Sequence, residues 1–550
     1  MSLKIVIRRG EGIGIARRLM VLLLLQSALL LCCGLRMAQA QERLLWGDLP
    51  PGRYAVGFQS QIQFDLTRLY DPEYPSPARQ ASAKPARPIF LAIWYPAKPT
   101  DRPPMVYRDY LPQVSKDPRF HTFSERLARY TEEVVRSEVI SENPPQEWDA
   151  EEREALATFL STPTHAVRNA APPRGRFPLI LYHPGLGGSY EDNSVLFEYL
   201  ASHGYVVMSS AYEAEDSSRL DVNWDLTRSF KDLTFLLRYA RTLPFVDAER
   251  LGVLGHSYGA QAVLAWRSEA NSPIDAVVSL DSTVENVGID FPGFAKLKAQ
   301  LEGRSRAYSV PVLRFASVEN KPKFETLERY LKYAPRYEAA VASLEHNDYL
   351  THGAVHGALL PNKEKDASIG RLRRESYERV CRHVLAFFDL TLKRDADADA
   401  LLKRSLDGAG QDASFALRYR APAPLPPTGR QLLGLIAQQG MQAAETLLRQ
   451  CRADIEEFDL SMAATGLQEA GKKEEAARIW NLRVEFFPKS TGAYEDLGEF
   501  YAKNGETERA IAAYKEAIEL VPSDPDITDL FKPYRLSHLK AALAKLTSKK

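Results

Sequence analysis

The chain has 550 residues, which at roughly 100–200 residues per domain means two to four domains. Lys+Arg and Asp+Glu each total 71, so the net charge is zero, which excludes a strong global attraction to nucleic acid or anionic membrane. An apolar share of 45% and a charged share of 26% exclude a disordered chain, a collagen-like chain and a disulfide mini-protein.

The first forty residues have three parts. Arg8, Arg9, Arg17 and Arg18 precede an apolar run from Leu19 to Leu31, and Ala38-Gln39-Ala40 follows. Basic region, short apolar region and small-residue site predict a secretory signal peptide cleaved before Gln41. The run is broken by Gln26 and Ser27 and is short for a membrane span, so no transmembrane segment is expected after cleavage. Cys32 and Cys33 leave with this segment; Cys381 and Cys451 remain, far apart in sequence, which argues against a disulfide framework or a cysteine-ligated metal. The expected location is the periplasm or the medium.

Residues 41–100 read as strands and turns, with Tyr54 to Phe58 leading in, a Pro-rich excursion from Tyr70 to Pro88, and a buried strand from Pro88 to Pro96. Residues 101–165 turn helical and charged, an insertion placed to form a cap, and Pro163 to Pro178 reads as a linker. Next, Phe177 to Tyr182 is an apolar strand ending in His183-Pro184-Gly185-Leu186-Gly187-Gly188. A helix at Leu196 to His203, a strand at Tyr205 to Met208 and an amphipathic helix at Trp224 to Leu243 follow. Leu251 to Leu254 is a third strand with a helix from Ala260 to Ser268; Ala276 to Leu280 and Val310 to Phe315 are two more strands. Continuously apolar strands alternating with helices predict a mostly parallel sheet covered on both faces, closed by a helix at Arg371 to Leu392. Residues 396–427 read as a linker.

Beyond residue 428 the pattern is all-helical and repeats. Gly471 and Gly505, Ala476 and Ala510, Trp480 and Tyr514, and Pro488 and Pro522 each lie 34 residues apart. The segment 491–524 resembles a tetratricopeptide repeat at nearly every signature position; 457–490 departs at Ala463-Ala464 and at Arg483. Such repeats predict a groove for a peptide or protein partner.

Gly255-His256-Ser257-Tyr258-Gly259 fits G-x-S-x-G between a strand and a helix, where a sharp turn lifts the serine hydroxyl above the sheet. A serine needs a base and an orienting acid, expected in the order Ser, acid, His. His346 follows the apolar stretch Ala339 to Leu344 and opens the loop Asn347 to Leu350, which suits a base; His352 is held in reserve. For the acid, Asp281 directly ends its strand, and Glu319, reached through a short loop, is the alternative. The amides of Leu186, in the Gly-rich turn, and of Tyr258 are the expected oxyanion donors. His346, Asp348, His352 and His356 offer a rival metal cluster if their segment is helical, but Gly353 and the preceding strand predict a loop.

The strand and His183-x-Gly-Leu-Gly turn, the Ser257 elbow, Asp281 at a strand end and His346-x-Asp348 resemble the α/β-hydrolases. Within them, this chain looks most like the branch with platelet-activating-factor acetylhydrolases and dienelactone-hydrolase-like esterases, over about residues 45–395. That resemblance implies an α/β-hydrolase domain at 41–395, favours Asp281 as the acid, and needs no cofactor. Dienelactone hydrolases use a cysteine where this chain has Ser257, so their activity is not implied. The expected function is an exported serine hydrolase cleaving carboxylic esters, with a small-molecule or lipid ester as substrate. A serine peptidase of the same fold and an inactive hydrolase-fold scaffold acting through its repeats are the alternatives.

Overall fold

The computed structural model describes residues 44–69, 86–212, 226–267, 274–302, 305–318, 323–363, 367–406 and 415–548. The expected signal peptide, most of the Pro-rich excursion and Glu319 lie outside them. The chain divides into two compact units at Pro422/Ala423.

The first unit is built on a sheet of ten strands among the described residues: β1 Ala55–Leu69, β2 Ala86–Ala97, β3 Ala166–Arg168, β4 Phe177–His183, β5 Val206–Ser209, β6 Val246–His256, β7 Ile274–Leu280, β8 Val312–Ser317, β9 Arg336–Val341 and β10 Phe415–Arg420. Their order across the sheet is β10-β9-β8-β7-β6-β4-β5-β2-β1-β3. The run from β5 through β4 to β9 is parallel, while β2 meets β5 and β10 meets β9 antiparallel. The central strands are apolar at successive positions because both faces are covered. In β4, Leu179 and Leu181 enter one core and Ile180 and Tyr182 the other. The first of these cores holds the helix Thr227–Ala240, through Leu233, Leu236 and Leu237, and the elbow helix Tyr258–Arg267. The other holds Leu127 and Phe159 of the insertion and Val380 and Phe387 of the closing helix Ala367–Phe388. With these helices on both faces, the first unit is an α/β-hydrolase fold, followed by a helical second unit.

Two segments depart from the reading of the sequence. Residues 396–427 are not a linker throughout: they contain the helix Ala396–Leu406 and β10, which pairs with β9 from Phe415↔Val341 to Arg420↔Arg336. The expected linker at 163–178 contains β3, which extends the sheet by pairing with Val56–Phe58. Among the described residues no helix is long and apolar enough to cross a membrane.

In the second unit the helices Glu457–Glu469 with Lys473–Phe486, and Thr491–Lys503 with Thr507–Leu520, form two successive hairpins. Each turns through a left-handed glycine, Gly471 (φ 74°) and Gly505 (φ 80°). Gly498 has no side chain because the ring of Tyr514 lies 3.2 Å from where a Cβ would stand.

Candidate active site

Strand register brings the site together. β4 pairs with β6 so that His183 stands opposite Gly255, and β6 pairs with β7 so that His256 stands opposite Leu280. The residues that follow, Pro184, Ser257 and Asp281, therefore leave three neighbouring strands at the same carboxyl edge, where parallel sheets build their sites.

Ser257 has a left-handed backbone, φ 53°. A non-glycine residue pays about 1–2 kcal/mol for that geometry, and it persists only where the surroundings over-determine it. Its N–H donates to the Leu280 carbonyl at 3.0 Å. A Cβ on Gly255 would lie 2.4 Å from backbone atoms of Gly259, and one on Gly259 would lie 2.1 Å from the His183 carbonyl. Both glycines are therefore required by backbone-to-backbone approach.

Asp281 repeats the device with φ 43°, its N–H donating to the Phe315 carbonyl at 2.9 Å. Its carboxylate is fully buried. Oδ1 accepts from the Ser317 amide (2.8 Å) and hydroxyl (3.2 Å), and Oδ2 lies 2.5 Å from His346 Nδ1. Burial opposes ionisation here, but the bond and charge of His346 and the Ser317 amide outweigh it, so its pKa falls below the usual carboxylate value.

His346 opens the turn His346–Tyr349 after β9, fixed by the Glu345 amide donating to Asp348 at 2.8 Å. Its Nε2 stands 2.9 Å from Ser257 Oγ. The carboxylate at Nδ1 assigns the ring proton to that nitrogen and leaves Nε2 free to accept the serine proton. The imidazole is 41% exposed, so this side of the Ser257–His346–Asp281 arrangement is reached by solvent.

The Gly-rich turn lies over Ser257. A Cβ on Gly185 would lie 3.2 Å from Ser257 Cβ, and the Gly188 amide closes the turn on the Gly185 carbonyl at 3.1 Å. Leu186 thus follows a residue packed on the serine, and Tyr258 follows the serine itself at the start of the elbow helix. His183 anchors the turn: Nδ1 donates to the Pro184 carbonyl (2.8 Å), Nε2 meets Ser229 Oγ (2.8 Å), and the ring stacks on Tyr212 at 3.8 Å. Burial pushes its pKa down to about 4, so it stays neutral.

The other candidates fall elsewhere. His352 is buried, with Nδ1 2.8 Å from Glu138 and Nε2 2.7 Å from the Tyr107 hydroxyl, both in the insertion. It therefore ties the insertion down and does not face Ser257. The segment after Leu350 is the helix Thr351–Leu359, where a loop was expected, yet its histidines do not converge. His356 Nδ1 meets the Val139 carbonyl at 2.9 Å, and among the described residues no three His, Cys, Asp or Glu side chains group as metal ligands. Cys381 and Cys451 are both buried.

Three contributors were not assigned from the sequence. Ser317 ends β8 beside Asp281, and a polar residue at that strand end was its only signal. Tyr130, from the insertion helix His121–Val139, donates to the Gly188 carbonyl at 3.3 Å and so supports the Gly-rich turn. His256 stood inside the motif without a role.

No family model matches the chain, and no curated protein matches it. Among solved structures it is similar to a ferulic acid esterase from Streptomyces cinnamoneus, at 22% identity and a TM-score of 0.41, over 63% of this chain and 93% of that one.

Proposed function

We propose that the protein is an exported serine hydrolase of carboxylic esters. The observation that carries this reading is the continuous line from Asp281 Oδ2 through the His346 ring to Ser257 Oγ, with links of 2.5 and 2.9 Å. As His346 Nε2 takes the hydroxyl proton, Ser257 Oγ attacks the ester carbonyl, and Asp281 holds the imidazolium that forms. The negative oxygen of the tetrahedral intermediate is received by the Leu186 and Tyr258 amides. The carbon–oxygen ester bond then breaks and the alcohol leaves with the proton from Nε2. Water, deprotonated by the same nitrogen, releases the acid and restores the hydroxyl.

Export rests on the basic, apolar and small-residue pattern of residues 1–40. The finer substrate reading, an acetyl or acyl-lipid ester, rests on the resemblance to the acetylhydrolase branch. The second unit is read as tetratricopeptide repeats that hold a peptide or protein partner, supported by the 34-residue spacing and the two hairpins.

The test treats the chain from Gln41 onward with a fluorophosphonate probe and maps the label, alongside turnover of short-chain p-nitrophenyl esters and a peptide panel. Label on Ser257 and ester turnover, both lost in Ser257→Ala and His346→Ala, are the expected result. A folded protein that takes no label and turns over no ester would leave only the scaffold alternative, and peptide cleavage without ester preference would favour the peptidase.

A further inference from the structure

His256 is the last paired residue of β6 and is buried at 3% exposure. Its ring lies against that of His346, with centroids 4.7 Å apart and planes 40° from parallel. Its Nε2 lies 2.9 Å from the backbone carbonyl of His346. A carbonyl only accepts, so Nε2 carries the proton and donates, which leaves Nδ1 bare. That second nitrogen faces the oxyanion turn: a Cβ on Gly185 would lie 3.0 Å from it. One ring therefore touches the loop of the base and the turn over the nucleophile, and it is covalently next to the nucleophile.

We propose that His256 is a positioning residue, setting the separation of Ser257 Oγ and His346 Nε2 by clamping the His346 backbone to the nucleophile elbow. This rests on the serine-hydrolase reading of the same site. Apart from the Ser257 hydroxyl that it faces through Nε2, the His346 ring is hydrogen-bonded to Asp281 at Nδ1, and it sits at the start of a single short turn with 41% of its side chain exposed. Without a second anchor on the backbone, the ring pivots about the Asp281 bond and carries Nε2 away from the hydroxyl. The choice of histidine follows from the chemistry. Burial, with the charge of His346 next, pushes His256 down to about 3, so it donates a hydrogen bond without carrying charge. A lysine or arginine donor there would repel the imidazolium that His346 becomes during acyl transfer.

The test compares His256→Gln, whose amide nitrogen reaches about as far from Cβ as Nε2, with His256→Leu, which fills the space without a donor. The intact chain from Gln41 is assayed with p-nitrophenyl acetate and by the rate of fluorophosphonate labelling. A misplacement of order 1 Å costs on the order of a hundredfold, so His256→Leu should lose about tenfold to a hundredfold in kcat with KM little changed. His256→Gln should recover most of that loss, which simple repair of packing would not do. If the Leu variant does not fold, His256→Asn, whose amide is too short to reach the carbonyl, replaces it against Gln. Wild-type kcat in the variant lacking the donor, or equal damage in Gln and Leu, overturns the proposal while wild-type turnover leaves the hydrolase reading standing. A wild-type protein with neither label nor turnover removes the hydrolase reading, and this inference with it.

Discussion

The two units handle left-handed backbone differently: the sheet unit uses glycines and also non-glycine residues there, the helical unit glycines. Among the described residues the non-glycine positions with positive φ are Asn169, Tyr212, Ser257, Asp281 and Arg394, all in the sheet unit, and two of them are the proposed nucleophile and acid. In the helical unit the positive-φ positions are Gly440, Gly471 and Gly505. Arg314 of the sheet unit is 1% exposed between Glu285 and Glu338, whereas Arg449 and Glu485 of the helical unit pair at the surface. Sheet pairing between residues distant in sequence can hold strained and buried polar groups in place, and that is what a chemical site requires. Helical hairpins are stabilised by neighbours in sequence and use glycine wherever strain would arise.

The largest expected effect breaks the strained pair at its chemistry. Asp281→Asn keeps the volume but removes the charge that orients His346, and kcat for p-nitrophenyl acetate should fall by about 10⁴-fold with the fold intact by circular dichroism. A fall of less than tenfold would mean that Asp281 does not orient the base. Next is Arg314→Leu, which leaves buried Glu285 without its cation and Glu338 with Arg420 alone; Arg314 also donates to the Phe324 carbonyl at 3.2 Å. Breaking a buried pair by removing one partner costs about 3–5 kcal/mol, readable as a shift in urea unfolding. Glu285 is already pushed up to about 7 by burial, against the pull of Arg314, so the variant should be hurt most above neutral pH.

These contrasts were unevenly legible in the sequence. The Ser257 elbow was readable because strand, motif and helix are contiguous, and Asp281 and His346 because each ends an apolar run. The helix Thr351–Leu359 was missed through Gly353, which reads as a helix breaker. The structure gives that glycine another cause: a Cβ there would stand 2.3 Å from the Asn347 carbonyl, where the turn of the base folds back on the helix. β10 was missed because Arg418 to Arg420 are charged or polar and run into a Pro/Ala stretch. Its strand exists through pairing with β9, a long-range contact that local composition does not carry. The polar contacts of His256 and Ser317 are likewise products of register between strands.

The buried carboxyl of Glu191 sharpens the comparison further. It stands three residues after Gly188 of the Gly-rich turn, and burial raises it to about 7, partly offset by the charge of His352. A carboxyl raised on folding contributes stability that is full below its unfolded value near 4.3 and is lost as pH rises to about 7. Glu191→Gln removes that dependence. Its stability relative to wild type should rise by on the order of 3 kcal/mol between pH 4.5 and 7.5, and then level off. A difference that stays flat across this range in urea unfolding would mean that Glu191 is as accessible to solvent in the native state as in the unfolded chain.

The smallest effect lies in the helical unit and has two signs. Gly434 and Gly505 both have open space where a Cβ would stand. Packing therefore cannot distinguish them, and backbone alone decides. Gly505 turns the second hairpin at φ 80°, so Gly505→Ala should destabilise by about 1–2 kcal/mol. Gly434 lies within the helix Gly429–Gln450, on the stretch before its break at Gly440, so Gly434→Ala should stabilise by up to about 1 kcal/mol. Thermal unfolding of the intact chain, followed by its helical signal, measures both. Equal shifts of one sign would show that the repeat turns are not set by left-handed glycine, and would remove the physical basis for the contrast with Ser257 and Asp281.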